Sequence, residues 1–220
     1  MTFVRVRDLG TGSDLELRPT RLVIAGFTGR NHEAVQAHVD ELRELGVPVP
    51  ERTPTFYEVD PTLLTTLDRI EVSGSFTSGE VEPVLVVHQG ARYLAVGSDH
   101  TDRDVERSSI AASKGACPKP ISREVFPLTA VSSWDDLELT SWADGSDEMY
   151  QEGRLAQMLP LEAILEDMAR SDIELRDGDV LFLGTVPVLG DLRASRSFSA
   201  RLRDPAAGTA IDLQYAVDLQ

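Results

Sequence analysis

The stretch Ser78–His100, SGEVEPVLVVHQGARYLAVGSDH, decides how this chain is read. Val84-Leu85-Val86-Val87 and Arg92–Gly97 are rich in β-forming residues. Between them, His88-Gln89-Gly90-Ala91 fits a two-residue hairpin with Gln89 and Gly90 at the tip. Counting back from His88 opposite Ala91 sets Glu82 opposite Gly97 and Glu80 opposite Asp99. Side chains alternate faces along a strand, so Glu80 and Glu82 point the same way. Directly opposed residues also share a face, with Cβ atoms about 4.5–5.5 Å apart. Moving the tip by one position keeps this parity and sets Glu82 opposite Asp99, whereas a three-residue loop destroys it. The stretch therefore predicts three carboxylates, Glu80, Glu82 and Asp99, on one patch.

Three like charges that close repel one another, so one must take a proton or a cation must join them. Oxygen donors alone suit a hard ion, Mg²⁺ first, with Mn²⁺ or Ca²⁺ as alternatives. An E-x-E pair on a solvated strand face would need no ion. Pro83 and the apolar run behind it weigh towards a buried patch.

The rest of the chain sets the context. At 220 residues it suits a single domain spanning residues 1–220, with strands in residues 1–25 packing on the remainder. Further strands are expected at Phe3–Arg7, Leu15–Arg18, Arg21–Ala25, Thr55–Val59, Arg69–Ser73, Glu138–Trp142, Val180–Leu183, Ser197–Leu202 and Ala210–Val217. Two helices stand out. NHEAVQAHVDELRELG has Asn31 as N-cap, an apolar stripe of Val35, Val39, Leu42 and Leu45, and Gly46 as its stop. PLEAILEDMARS places Pro160 in its first turn and aligns Leu161, Ile164, Leu165 and Met168. Many strands and few helices predict a mostly β, α+β fold: a rolled or sandwiched mixed sheet with peripheral helices.

Composition excludes several classes. The net charge of −16 and the lack of a basic run disfavour nucleic-acid binding. No window approaches the apolar length of a membrane span, and the N-terminus has no apolar signal region. Cys117 is the sole cysteine, so no intramolecular disulfide forms and a cytoplasmic location is expected. It reads as a small packed thiol. VIAGFTGRNHEAV looks like strand, turn and helix but lacks both phosphate-cradling glycine motifs. The acidic stretch WDDLELTSWADGSDEMY lacks EF-hand spacing and reads as a solvated edge with a turn at Asp144-Gly145.

Several segments, in order, resemble the fumarylacetoacetate hydrolase superfamily. GEVEPVLVV is similar to its E-x-E metal-ligand strand, and GSDHTDRD to its G-x-N-D-V-S-A-R-D segment, with Asp99 at the ligand aspartate and Arg103 and Asp104 at the closing pair. SKGACPKP resembles the lysine-bearing segment ending in C-P-x-G-P, which places Lys114 at the active-site lysine. YQEGRLAQM is similar to Q-x-G-x-T-x-x-M. LRDGDVLFLGTVPVLG resembles L-x-x-G-D-V-I-x-T-G-T-P-x-G-V-G and puts Gly184 and Thr185 at substrate-contacting positions. VPVPERTPTFYEV is similar to the proline-rich strand that precedes the active site. Within the superfamily the chain most resembles the short DUF2848 members. It departs from the wider pattern by a tight hairpin in place of a helical insert, a shorter path from Asp99 to Cys117, and G-T-V-P in place of G-T-P.

The resemblance implies a homodimer that binds Mg²⁺ through Glu80, Glu82 and Asp99 and acts on a small keto-acid or diketo substrate. The leading reaction is hydrolysis of a C–C bond in an acylpyruvate through an enolate. Decarboxylation, isomerisation or hydration of a related 2-keto acid would start from the same enolate, and a non-catalytic acid-binding member is a further alternative. Lys114 would steady the enolate or the substrate carboxylate, and Arg103 would contact substrate or brace the ligand loop by pairing with Asp102 or Asp104. A His-x-x-Glu dyad in related hydrolases implies His38 and Glu41 as the general base, three apart on one helix face. A histidine on the apolar stripe is otherwise a core residue. His32, near the helix start, and His100, with its side chain turned from Asp99, are the other candidates.

Overall fold

The computed structural model describes residues 3–220. The hairpin lies in the middle of its larger sheet. Strands Val81–His88 and Ala91–Ser98 pair antiparallel, with His88 opposite Ala91 and Glu82 opposite Gly97. The Asp99 amide donates to the Glu80 carbonyl at 3.0 Å, so the expected register continues through both acids. Gln89 (φ 52°) and Gly90 (φ 76°) both take the left-handed conformation that a tight hairpin tip of matching twist requires.

Eight strands make this sheet, in the order Asp14–Leu17, Val4–Asp8, Glu124–Pro127, Ala91–Ser98, Val81–His88, Asp179–Phe182, Arg21–Gly26, Thr55–Val59. Two neighbouring pairs are parallel, Val4–Asp8 with Glu124–Pro127 and Arg21–Gly26 with Asp179–Phe182, so the sheet is mixed. Five strands make the second sheet: Gln151–Arg154, Glu138–Ala143, Ser197–Asp204, Thr209–Leu219 and Arg69–Val72. Residues with odd numbers on Val81–His88 face the second sheet, where Leu85 and Leu181 meet Phe198, Leu202 and Leu213. Val84, Val86 and Phe182 point the other way, into a core shared with Val4 and Val6 from one end of the strand order and Leu22 and Ile24 from near the other. Residues from both ends meet in one core only if the sheet rolls around it. Burial on both faces explains why Pro83–Val87 reads as an unbroken apolar run and not an alternating one. The fold is the rolled sheet that was expected, packed against a second sheet.

The helix His32–Glu44 carries the predicted cap: Asn31 accepts from the amides of Glu33 and Ala34. Its stripe is shallower than expected, with Val39 buried and Leu45 exposed. In Leu161–Arg170 the side chains of Leu161, Ile164 and Met168 are buried. Two short helices that no periodicity marks, Arg103–Glu106 and Ile110–Gly115, fill the path from Asp99 to Cys117. Asp144-Gly145 forms the expected turn, but Glu138–Ala143 is paired on both sides and is not an edge. Among the described residues, no helix is long and apolar enough to cross a membrane.

Candidate metal centre

The hairpin register brings the three acids together. Glu80, Glu82 and Asp99 each offer a carboxylate oxygen, all within 4.8 Å of one another. Parity puts them on the inner face of the rolled sheet, just beyond the apolar core formed by Val84, Ala95 and Phe182. Glu82 and Asp99 are buried, and Glu80 is nearly so.

Three cations meet this charge. The Lys114 ammonium lies 2.5 Å from Asp99 Oδ2 and 3.2 Å from Glu80 Oε2. Lys119 lies 2.9 Å from Asp99 Oδ1. Arg103 reaches Glu80 Oε1 at 3.2 Å and Glu106 Oε2 at 2.8 Å, and donates to Ser78 Oγ at 2.7 Å. Arg103 thus braces the ligand strand through Glu80. The expected pairing with Asp102 or Asp104 is not formed, because Asp102 caps the short helix and Asp104 pairs with Arg107.

The two ends of the triad differ electrostatically. Burial pushes Asp99 up, but Lys114 and Lys119 outweigh it and hold the carboxyl at about 2. Glu80 is opposed by burial yet lowered by Arg103 and Lys114. Burial raises Glu82 well above the usual carboxylate range, and Asp99 raises it further; Lys114 and the Gly184 amide offset only part of this. Burial opposes the charge on Lys114, but Asp99 and Glu80 raise its pKa, so it stays an ammonium.

This donor set fits a divalent cation. All three donors are hard carboxylate oxygens, and neither buried oxygen of Asp99 accepts an aligned hydrogen bond despite its ion pairs. Glu82 has a strained, raised ionisation that a cation would relieve.

The surrounding frame is hydrogen-bonded. Gly184 N–H donates to Glu82 Oε2 at 2.8 Å. Thr185 Oγ1 donates to the Val81 carbonyl at 2.7 Å, which ties the signature loop to the ligand strand. Gln151 is fully buried and acts as the hub: its carboxamide accepts from Val81 N (2.9 Å) and Ser141 Oγ (3.0 Å) and donates to Thr185 Oγ1 (2.8 Å) and the Val186 carbonyl (2.7 Å).

Neither His38 nor His100 pairs with a carboxylate of the triad. His38 and Glu41 face each other at 3.7 Å, but their side chains are 58% and 71% exposed. The stripe position therefore does not make His38 a core residue; its ring leans on Phe27, with centroids 6.1 Å apart. His32 is exposed. His100 is buried, as its turn away from Asp99 predicts, and its nitrogens bond Tyr215 OH and Thr77 Oγ1, both at 2.9 Å. Burial, then Lys119 and Arg103, lowers it to about 3, so it is neutral. Cys117 is a packed thiol that burial pushes up to about 11.

The sequence reading assigned no role to three residues that the fold brings to the site: Glu106, Gln151 and Lys119. Glu106 was hidden because its helix is only four residues long. Gln151 stood in a recognised motif without a role. Lys119 is marked only by the prolines on either side of it.

With this geometry established, comparisons with known proteins place the chain. The family model described as a protein of unknown function (DUF2848) matches residues 25–215. The mitochondrial oxaloacetate tautomerase FAHD1 of Oryza sativa subsp. japonica is 31% identical over 198 residues, covering 78% of this chain and 81% of that protein. The crystal structure of fumarylpyruvate hydrolase from Pseudomonas aeruginosa, in complex with Mn²⁺ and pyruvate, superposes with a TM-score of 0.70 at 20% identity over 100% of this chain and 96% of that one. The 5-carboxymethyl-2-hydroxymuconate delta-isomerase from Mycobacterium smegmatis gives a TM-score of 0.65 at 16% identity, covering 93% and 81%. At these identities the two structures show a shared fold. Together with the hairpin triad and the ordered motifs, the family match shows that the chain belongs to the DUF2848 family within the fumarylacetoacetate hydrolase superfamily.

Proposed function

We propose that this protein is a divalent-metal-dependent enzyme that promotes enolisation of a small 2-oxo acid, with keto–enol tautomerisation as its leading reaction. The observation that carries the reading is the buried carboxylate triad with a charged lysine touching two of its members. Glu80, Glu82 and Asp99 would hold the ion, Mg²⁺ or Mn²⁺. When bound, such an ion supplies Lewis-acid polarisation of a carbonyl oxygen. Tautomerisation exchanges one proton between carbon and the enol oxygen, with solvent water as the carrier, and Lys114, beside Glu80 and Asp99, would supply fixed positive charge that steadies the enolate between the two transfers. Arg103 and the Gly184 amide hold Glu80 and Glu82, and Gln151 holds Thr185. Tautomerisation needs no activated water, and this matches the exposed His32 and His38 and the neutral, fully engaged His100. The names of the sequence relatives and the Mn²⁺ and pyruvate of the Pseudomonas protein support the substrate class.

C–C bond hydrolysis of an acylpyruvate is the second reading, favoured by the facing of His38 and Glu41 at 3.7 Å. One experiment separates the two. Ketonisation of enol-oxaloacetate and cleavage of acetylpyruvate are followed by absorbance with Mn²⁺, for the wild type, Glu82→Ala and His38→Ala. Ketonisation that needs Mn²⁺, vanishes in Glu82→Ala and survives in His38→Ala is the expected result. Acetylpyruvate cleavage that His38→Ala abolishes would establish the hydrolase. Metal-independent turnover of either compound would refute the metal centre as the seat of the chemistry.

A further inference from the structure

Lys119 sits on a two-residue strand, Lys119–Pro120, that pairs in parallel with Leu64–Thr65. Its relative exposure is 0%, so it cannot touch a substrate. The ammonium lies 2.9 Å from Asp99 Oδ1 and donates to the His100 carbonyl at 2.6 Å. Burying an ammonium is costly, and Asp99 already has Lys114 at 2.5 Å. For holding Asp99 in place, the second lysine is redundant. Its effect is on charge: Lys119 sets a second positive charge on Asp99, beside that of Lys114, before any ion arrives. The affinity of an oxygen-donor site for a hard cation rises with the charge of its donors.

We propose that Lys119 acts through Asp99 to offset the charge of the triad, so that the divalent ion binds weakly alone and tightly together with a dianionic 2-oxo acid. The dianion restores the negative charge that Lys119 cancels. This inference rests on the metal centre proposed above and favours a ligand that carries two negative charges where it meets the ion, as the enolate of a 2-oxo acid does. Because coupling between two ligands is reciprocal, the ion and the acid each bind better in the presence of the other. A monoanionic 2-oxo acid would gain less.

The test is calorimetric titration of Mn²⁺, with and without oxalate, on the wild type, Lys119→Met and Lys119→Gln, with circular dichroism melts to verify folding. Methionine matches the length of the buried chain, and glutamine keeps a donor for the His100 carbonyl. In the wild type, oxalate is expected to tighten Mn²⁺ binding at least tenfold. Each neutral variant is expected to bind Mn²⁺ alone at least fivefold tighter than the wild type and to gain less from oxalate. A folded variant that binds Mn²⁺ alone no tighter than the wild type overturns the proposal, since removing a mere brace from Asp99 would weaken the site. A wild type that binds Mn²⁺ equally well with and without oxalate overturns it whether or not the variants fold. A wild type that binds no Mn²⁺ in either condition overturns the metal centre itself.

Discussion

Gly184→Ala probes how the Glu82 end of the site is built. Gly184 has φ 98°, and a Cβ added there would stand 1.9 Å from Thr28 Oγ1 and 3.1 Å from Thr28 Cβ. A non-glycine residue in this conformation costs about 1–3 kcal/mol. The clash also evicts the Thr28 hydroxyl from its buried 2.8 Å bond to the Leu183 carbonyl, and an unmet buried group costs about 1–3 kcal/mol. Together the substitution should destabilise the protein by about 2–6 kcal/mol, or roughly 4–24 °C in Tm for a chain of this size. The same shift withdraws the Gly184 N–H from Glu82 Oε2, now at 2.8 Å. Hydrogen-bond partners of metal ligands typically contribute about 10–100-fold to affinity, so Mn²⁺ binding should weaken by at least about tenfold. Urea melts in EDTA read the first effect, and calorimetry with oxalate present reads the second. Thr28→Ala provides the internal check. It removes the hydroxyl that the new methyl strikes, so Gly184→Ala in that background should cost less than in the wild type. A Gly184→Ala protein within about 1 kcal/mol of the wild type, with unchanged Mn²⁺ affinity, would refute the reasoning.

Gln151→Leu leaves the Val81 amide, the Ser141 and Thr185 hydroxyls and the Val186 carbonyl without their shared partner, so a loss of at least about 3 kcal/mol is expected in urea melts. A loss below about 1 kcal/mol would mean that the carboxamide is not the hub of this loop. Glu82→Gln tests the raised carboxyl through pH. Because its folded pKa lies above the unfolded value of 4.5, Glu82 contributes stability that is fully present below pH 4.5 and lost as pH rises through the folded pKa. In EDTA, the stability of the wild type relative to Glu82→Gln should therefore fall as pH rises above 4.5 towards the raised folded pKa, by up to about 1.4 kcal/mol per pH unit. Parallel profiles for the two proteins would contradict the assignment.

What could be read from the sequence follows the range of each interaction. The triad was legible because a two-residue tip fixes register and strand parity fixes faces, so three acids up to 19 positions apart reduce to counting along Glu80–Asp99. The rolled sheet was legible in class because many short strands with few helices can bury their apolar faces only by rolling or stacking. The cations were legible only in part. Lys114 came from a recognised motif, but Lys119 owes its burial to a parallel pairing with Leu64–Thr65, more than fifty positions away, and nothing local reports that. Arg103 was assigned to its chain neighbours because sequence distance was the only distance at hand; in the fold, Asp102 is spent capping the helix and Glu80 is nearer. The helix stripe misplaced His38 for the opposite reason: periodicity identifies a face but not whether anything covers it, and this helix leaves Leu45 as well as His38 in solvent. Carboxylates set by local register are thus the part of such a cluster that sequence can specify, while the charges that balance them are set by long-range packing. That is why the inference about Lys119, and with it the case for a dianionic ligand, had to come from the structure.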